Sequence, residues 1–364
     1  MTAALRAARE AVQRPPHARL LWVRADGAVV HRQREHLAEL LRTGDVVVAN
    51  DAATLPASLH GTHEPTAAPI ELRLAGRRSL RGSDVHRFQA IVFGAGDHRT
   101  RTEDRAPPPP LQPGDGLRLG PLHATVQRRL GHPRLIELRF DGDAGAVWAG
   151  LAQHGHPIQY AHITQPLALW DVWSAIAALP VAFEPPSAGF VLDWSLLQRL
   201  RQRGIGFATL THAAGISSTG DTALDRQLPF DEPYRIPPST ETAIAQARSH
   251  GGRVVAVGTT VTRALEHAAR GGRLRAGNGV ADQRIGRDTR LRVVDAIVSG
   301  THEPATSHHE LLRAFADPAV LQRADRALAE RGYLTHEFGD SVLIERTTPS
   351  LTSTADARLL ALTP

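Results

Sequence analysis

The chain has 364 residues, with 42 basic and 37 acidic side chains and 42% hydrophobic residues. That is enough for two domains, or for one large domain carrying an insertion. It contains no cysteine, and all 42 basic side chains are arginine. Disulfides, cysteine-ligated zinc, iron–sulfur clusters, cysteine nucleophiles, P-loop lysines and Schiff-base chemistry are therefore excluded.

In chain order, residues 1–14 (MTAALRAAREAVQR) have no signal-peptide core, and their Ala and Arg spacing predicts a short amphipathic helix. Residues 17–30 read as a strand, an Asp-Gly turn and a second strand. The stretch HLAELL reads as helix, and Val46–Ala49 as a buried strand ending at Asn50 and Asp51. From about His63 the texture changes to short strands broken by Gly and Pro turns (ELRLAG, HRFQAIVFG, DGLRLG, LHATVQRR, RLIELRFDG), with a stiff loop at Pro107–Pro110. Near-regular spacing of this kind predicts a small barrel or sandwich.

At about Gly155 the pattern reverts, and helices alternate with buried strands. SLLQRLRQRG leads to IGFATLTH, TETAIAQARSHGG to RVVAVGTT, and VTRALEHAARGG to LRVVDAIVSG. Two further helices follow, at about HELLRAF and VLQRADRALAERG, and then a last strand, SVLIER. Such alternation implies a mainly parallel sheet with helices on its faces. The expected fold is thus α/β: residues 1–62 and 155–364 form one domain, interrupted by an inserted all-β barrel over 63–154. No apolar run approaches the ~20 residues that cross a bilayer, so no membrane partner is expected.

Ligands of a parallel sheet sit beyond the carboxyl ends of its strands. Four such places stand out: Asn50 and Asp51; Thr211 and His212; Gly258, Thr259 and Thr260; and Ser299 to His302. The Gly-Thr-Thr step precedes a helix, where hydroxyls either cap the helix or bind an anion beside its free N–H groups. Arg263, one turn on, either faces solvent or supports that site. His212 has the chemistry of a general acid or base, or of an ordinary buried histidine. Asp51 suits a ribose or a proton transfer, or a routine turn. His302, His308 and His309 lack the i, i+4 pair of a zinc-binding helix, and Pro304 would break such a helix, so no metal is expected there. The net charge of +5, carried by arginines that grip phosphate in two-pronged fashion, hints at a polyanionic partner.

The order of these pieces resembles a known family. LLRTGDVVVANDAATLPASLHG, YRIPPSTETAIAQARSHGGRVVAVGTTVTRALE, SGTHEPATSHHELLRAF and EFGDSVLI, with shorter echoes in HGHP and PPSAGF, are similar to segments of the S-adenosylmethionine:tRNA ribosyltransferase-isomerases of queuosine biosynthesis. The resemblance runs in family order over most of the α/β part. It implies an α/β domain with an inserted β-barrel, in a cytoplasmic protein expected to be monomeric. It also implies a reaction, in which the ribosyl portion of S-adenosylmethionine moves onto 7-aminomethyl-7-deazaguanine in the tRNA anticodon. Rearrangement gives epoxyqueuosine and releases adenine and methionine. S-adenosylmethionine is then a donor substrate, and no metal is expected.

Carried over residue by residue, the resemblance implies catalytic roles for His212, Asp51 and His302. It implies binding roles for Asn50, Pro186, Ser187, Ala188, Gly189, Gly258, Thr259, Thr260, Arg263 and Asp340. The sequence departs from the family's motifs at Phe190-Val191-Leu192, at Asp171–Ser174, at Ala213–Ser217 and at His17–Leu20. A paralogue serving another acceptor, or a non-catalytic RNA- or protein-binding module, are the alternative readings of those departures.

Overall fold

The computed structural model describes residues 5–304 and 306–347. The amino-terminal segment is not helical over the described residues. Instead β1 (Arg6–Ala7) pairs with a late strand, Ala8 is buried, and the Gln13 amide donates to the carbonyls of Asp171 and Trp173 at 2.8 Å each. The reason is tertiary: these contacts offer the backbone more partners than an isolated helix on the surface would.

β2 (Arg19–Val23) and β3 (Val29–Gln33) form the expected hairpin, with Gly27 in the left-handed region at φ 78°. The short α1 (Leu37–Leu40) leads to β4 (Val46–Asn50) and β5 (Ala52–Thr54). Six strands then close a barrel: β6 (Ser58–His63), β7 (Ala68–Gly76), β8 (Arg87–Phe93), β9 (Gly116–Leu119), β10 (Leu122–His132) and β11 (Leu135–Phe140). Their alternate residues, Leu72, Leu74, Phe88, Ala90, Val126, Leu138 and Phe140 among them, fill the interior. α2 (Ala144–His154), capped by Asp143, packs on β10.

The chain returns through α3 (Leu169–Val172), β12 (Leu179–Ala182), α4 (Trp194–Gln202), β13 (Gly206–His212), α5 (Thr222–Asp225) and β14 (Glu232–Ile236). It continues with α6 (Pro238–Ser249), β15 (Val254–Val257), α7 (Thr259–Ala268), β16 (Gly277–Ala281) and β17 (Ala296–Gly300). It then runs through α8 (Ser307–Leu312), α9 (Pro318–Glu330), β18 (Leu334–Thr335) and β19 (Ser341–Glu345). Nine strands form one sheet in the order β16-β14-β13-β4-β15-β17-β19-β2-β3.

This sheet is mixed rather than mainly parallel. Only β13-β4-β15-β17, plus β19 beside β2, pair in parallel; the other neighbours are antiparallel. The parallel centre is where the sequence shows unbroken Val runs, because both faces there are covered. One face carries α6, α7 and α9 over Val46, Val48, Val254 and Ala256. The other carries α1 and α4 over Val47, Val255 and Val257. The antiparallel flanks arise from hairpins and returns that a helix–strand alternation does not reveal.

On the outer side of the barrel wall a carboxylate is enclosed between two guanidinium groups. Glu71 pairs with Arg73 at 2.7 Å and with Arg105, and accepts from the Ser58 hydroxyl at 2.8 Å. Burial alone would raise its pKa, but the two arginines outweigh burial and bring it down from 4.5 to about 2. Because the folded-state pKa is depressed, its stabilising contribution is complete above about pH 4.5 and is lost as pH falls toward about 2. Urea midpoints of the wild type and of Glu71→Gln should therefore differ most at pH 6 and converge as pH drops below about 4.5. A gap independent of pH would show that Glu71 is not ionised in the folded chain.

Candidate active site

A cavity of about 190 Å³ opens beyond the carboxyl ends of β13, β15 and β17. Its walls include the turn Glu184–Ala188 after β12, the β15–α7 junction, and, after β17, Ser299, Gly300, His302, Ser307 and His308. Ala214–Ser217, Glu232, Arg263, Arg284 and Glu310 also line it. The junction is built around Gly258, whose φ of 98° disfavours other residues. A Cβ there would also meet the Ala188 methyl at 3.3 Å, so the glycine lets α7 seat against the turn. Gly258 is itself the N-cap residue, and no side chain caps the helix. The first N–H groups of α7 thus have no intrahelical acceptor at the cavity wall, beside Thr259 and Thr260.

Beneath the cavity lies an ion pair. Arg263 contacts the Glu232 carboxylate through Nη1 and donates from Nη2 to the Ala281 carbonyl at 2.9 Å. Glu232 also accepts from the Gly215 N–H at 2.5 Å. Burial raises the Glu232 pKa, and Arg263 and the Gly215 N–H only partly oppose it. His212 sits behind this pair, fully buried, with Nε2 3.4 Å from the Glu232 carboxylate and neither ring nitrogen hydrogen-bonded. Burial, helped by Arg263, pushes its pKa well below the usual histidine value, so the ring is neutral.

Two further titratable groups face the cavity. Glu184 accepts from the Tyr160 hydroxyl, and burial pushes its pKa up to about 7. His302 stacks on His308 with centroids 4.5 Å apart. Enclosure and the neighbouring His308, His336 and His309 hold His302 well below its ordinary pKa.

Of the residues singled out in the sequence, Pro186, Ser187, Ala188, Gly258, Thr259, Thr260, Arg263 and His302 line this one cavity. Gly189 lies just behind, in the 3-10 turn Ser187–Val191. The expected common rim of Asp51, His212, Thr260 and His302 is not formed. Asp51 binds the hydroxyls of Thr209 and Thr211 at 2.9 and 2.6 Å, residues that alternate with Leu210, which is in the core under α6 and α7. Its carboxylate is thus taken up on the neighbouring strand β13 and does not line the cavity. Asn50 clamps the His212 backbone through both its N–H and its C=O at 2.9 Å. Asp340 is engaged with Arg19 at 2.7 Å and with the Leu334 N–H at 2.9 Å. Asn50, Asp51 and Asp340 do not line this cavity. Arg263 is neither a solvated side chain nor a free ligand grip, since it is buried in its pair with Glu232.

The family model described as Queuosine biosynthesis protein matches residues 3–344. The chain belongs to that family. A relative from Sorangium cellulosum is 32% identical over 362 residues, covering 91% of this chain and 94% of its own length. One from Azoarcus sp. is 33% identical over 335 residues, covering 90% of each chain. Both are named S-adenosylmethionine:tRNA ribosyltransferase-isomerase. The crystal structure of an S-adenosylmethionine tRNA ribosyltransferase from Thermotoga maritima is 23% identical and covers 94% of this chain and 96% of its own, with a TM-score of 0.48.

Glu184, Glu232 and Tyr160 escaped the sequence reading. Glu184 stands two residues before the Pro-Ser-Ala turn and so was within reach of a strand-end argument, whereas Tyr160 and Glu232 carry no local motif. Two family departures also acquire structural partners. Phe190 stacks on Phe338 at 5.5 Å, and Asp171 accepts from the Ala168 N–H of its own helix at 2.8 Å. The buried pair makes a test possible. Arg263→Ala would leave Glu232 buried without its cation and should lower unfolding free energy by about 3–5 kcal/mol in urea titrations. Arg273→Ala, at an exposed position, should stay within about 0.5 kcal/mol.

Proposed function

We propose that this chain transfers the ribosyl portion of S-adenosylmethionine to 7-aminomethyl-7-deazaguanine in the tRNA anticodon and isomerises it to epoxyqueuosine, releasing adenine and methionine. The observation that carries this reading is the convergence on one cavity of the Pro-Ser-Ala turn, the Gly-Thr-Thr junction and His302, three segments far apart in sequence that each resemble the family. The relatives' names supply the reaction, and the cytoplasm, where tRNA is modified, is the matching compartment. Among the described residues no helix is long and apolar enough to cross a membrane.

In this reading the free N–H groups of α7 and the Thr259 hydroxyl hold polar groups of the donor, the methionyl carboxylate suiting a helix start best. The transfer needs a base for the acidic protons flanking the sulfonium. Glu184 fits this role: it faces the cavity, and a carboxyl near 7 combines a fair ionised fraction with useful basicity at neutral pH. His302 bounds the same space as a neutral imidazole. His212 does not touch the cavity and acts through Glu232, which it backs. The arginine-rich surface takes the tRNA phosphates.

The decisive assay is incubation with S-adenosylmethionine and precursor-bearing tRNA, followed by mass spectrometry of the digested nucleosides. Appearance of epoxyqueuosine is expected; adenine release without a modified nucleoside would point to another acceptor. Glu184→Gln should lower kcat by ~10²–10⁴ without unfolding the chain. Wild-type kcat should rise as pH climbs through about 7, because the base must be ionised. Thr259→Val should weaken donor binding in calorimetry while the melting temperature stays put. Affinity for tRNA should fall steeply between ~50 and 200 mM salt, and a flat response would argue against a nucleic-acid substrate.

A further inference from the structure

Behind the wall of the cavity lies a second group of side chains that the proposed reaction does not use. His162, from the loop before α3, and the adjacent pair His336 and Glu337, from the turn between β18 and β19, bring three ligand atoms within 4.8 Å of one another. The His162 Nε2 is 3.0 Å from the Glu337 carboxylate. The rings of His162 and His336 stack face to face with centroids 4.4 Å apart and planes at 21°. All three side chains are partly shielded from solvent. His336 is held at φ 69°, a left-handed conformation uncommon for a residue with a side chain, and this bend directs two consecutive side chains toward His162.

A simple His–Glu ion pair explains the contact between His162 and Glu337. A second imidazole, His336, stacks on the first and brings a nitrogen of its own within reach of both partners. The surroundings also have the layout of a metal site. Glu303 meets His336 Nε2 at 3.3 Å as an outer partner, and Ile163, Leu167, Val172 and Phe338 form an apolar shell beside it.

We propose that His162, His336 and Glu337 form a binding site for a divalent transition-metal ion of the zinc type. Two imidazoles and one carboxylate are a borderline-soft donor set that suits such ions, whereas calcium and magnesium take oxygen ligands. An ion with ligand bonds of ~2.1 Å in tetrahedral geometry holds its donor atoms ~3.4 Å apart. His162 and Glu337 already stand 3.0 Å apart, and binding an ion requires the stacked His162 and His336 rings to turn so that a nitrogen of each faces it. Three protein ligands leave a coordination position for water. The ion pins the 155–168 loop to the β18–β19 turn, directly behind Tyr160, whose ring stacks on His162 at 6.3 Å and whose hydroxyl holds Glu184. The site is independent of the ribosyl transfer, so failure of one proposal leaves the other standing.

The test is calorimetric titration of the full-length, chelator-treated chain with Zn²⁺ at pH 7.5, paired with melting curves. One ion per chain and a higher melting temperature with Zn²⁺ are expected. His162→Ala, Glu337→Gln and His336→Asn (asparagine tolerates the left-handed backbone) should each weaken binding by at least ~10-fold and abolish the thermal shift. The control His309→Ala, which removes a ring engaged with Asp325 at 3.1 Å, should change neither. Absence of a stoichiometric binding event overturns the proposal. So does Zn²⁺ binding that survives in the three variants, or that is lost only on replacing His302 or His308.

Discussion

The ion pair between Arg263 and Glu232 joins a helix to the edge of the sheet. On one side is the start of α7; on the other are β14, the edge strand β16 and the loop that follows β13. β14 and β16 are neighbours in the sheet, with Glu232 opposite Ala281, whereas Arg263 and Gly215 reach the carboxylate from outside that ladder. A buried charge without its partner is so unfavourable that the pair fixes their mutual positions, whatever its net contribution to stability. The cavity floor is thereby set: the Gly215 N–H binds the same carboxylate, and His212 packs behind it.

The chemistry of the site follows from what burial does to each group around that floor. His212 is forced neutral by its enclosure and the nearby guanidinium, and Glu184 is brought near neutrality by burial. Of the two, only Glu184 faces the cavity, where it stands with His302, Arg263 and the hydroxyls of Thr259 and Thr260. The ring stack Tyr160–His162–His336 links the wall at Glu184 to the cluster at Glu337. The two sites therefore share a scaffold even though their proposed roles differ.

Much of the framework was legible in the sequence. The Asp-Gly turn, the Val-rich strands β4 and β15 and the Gly-flanked short strands of the barrel have periods and punctuation that few other structures satisfy. Helices α4, α6, α7 and α9 appeared as amphipathic runs between buried strands. The amino-terminal segment misled because its Ala and Arg spacing satisfies a helix, while its actual partners, Asp171 and Trp173, lie about 160 residues away. The sheet was read as mainly parallel because helix–strand alternation reports neighbours in sequence. It says nothing of β19 entering antiparallel to β17 and parallel to β2.

The sequence by itself determined the α/β framework with its barrel, the segments at the strand ends, and the exclusion of cysteine and lysine chemistry. These follow from composition and local periodicity, which are properties of contiguous residues. Only the tertiary structure decided which strand-end residues share a cavity. Asn50 and Asp51 are both drawn to β13, Asn50 to the His212 backbone and Asp51 to the hydroxyls of Thr209 and Thr211, so neither lines it. Only the fold, too, brought His162 beside His336 and Glu337, because a juxtaposition across more than 170 residues leaves no trace in spacing.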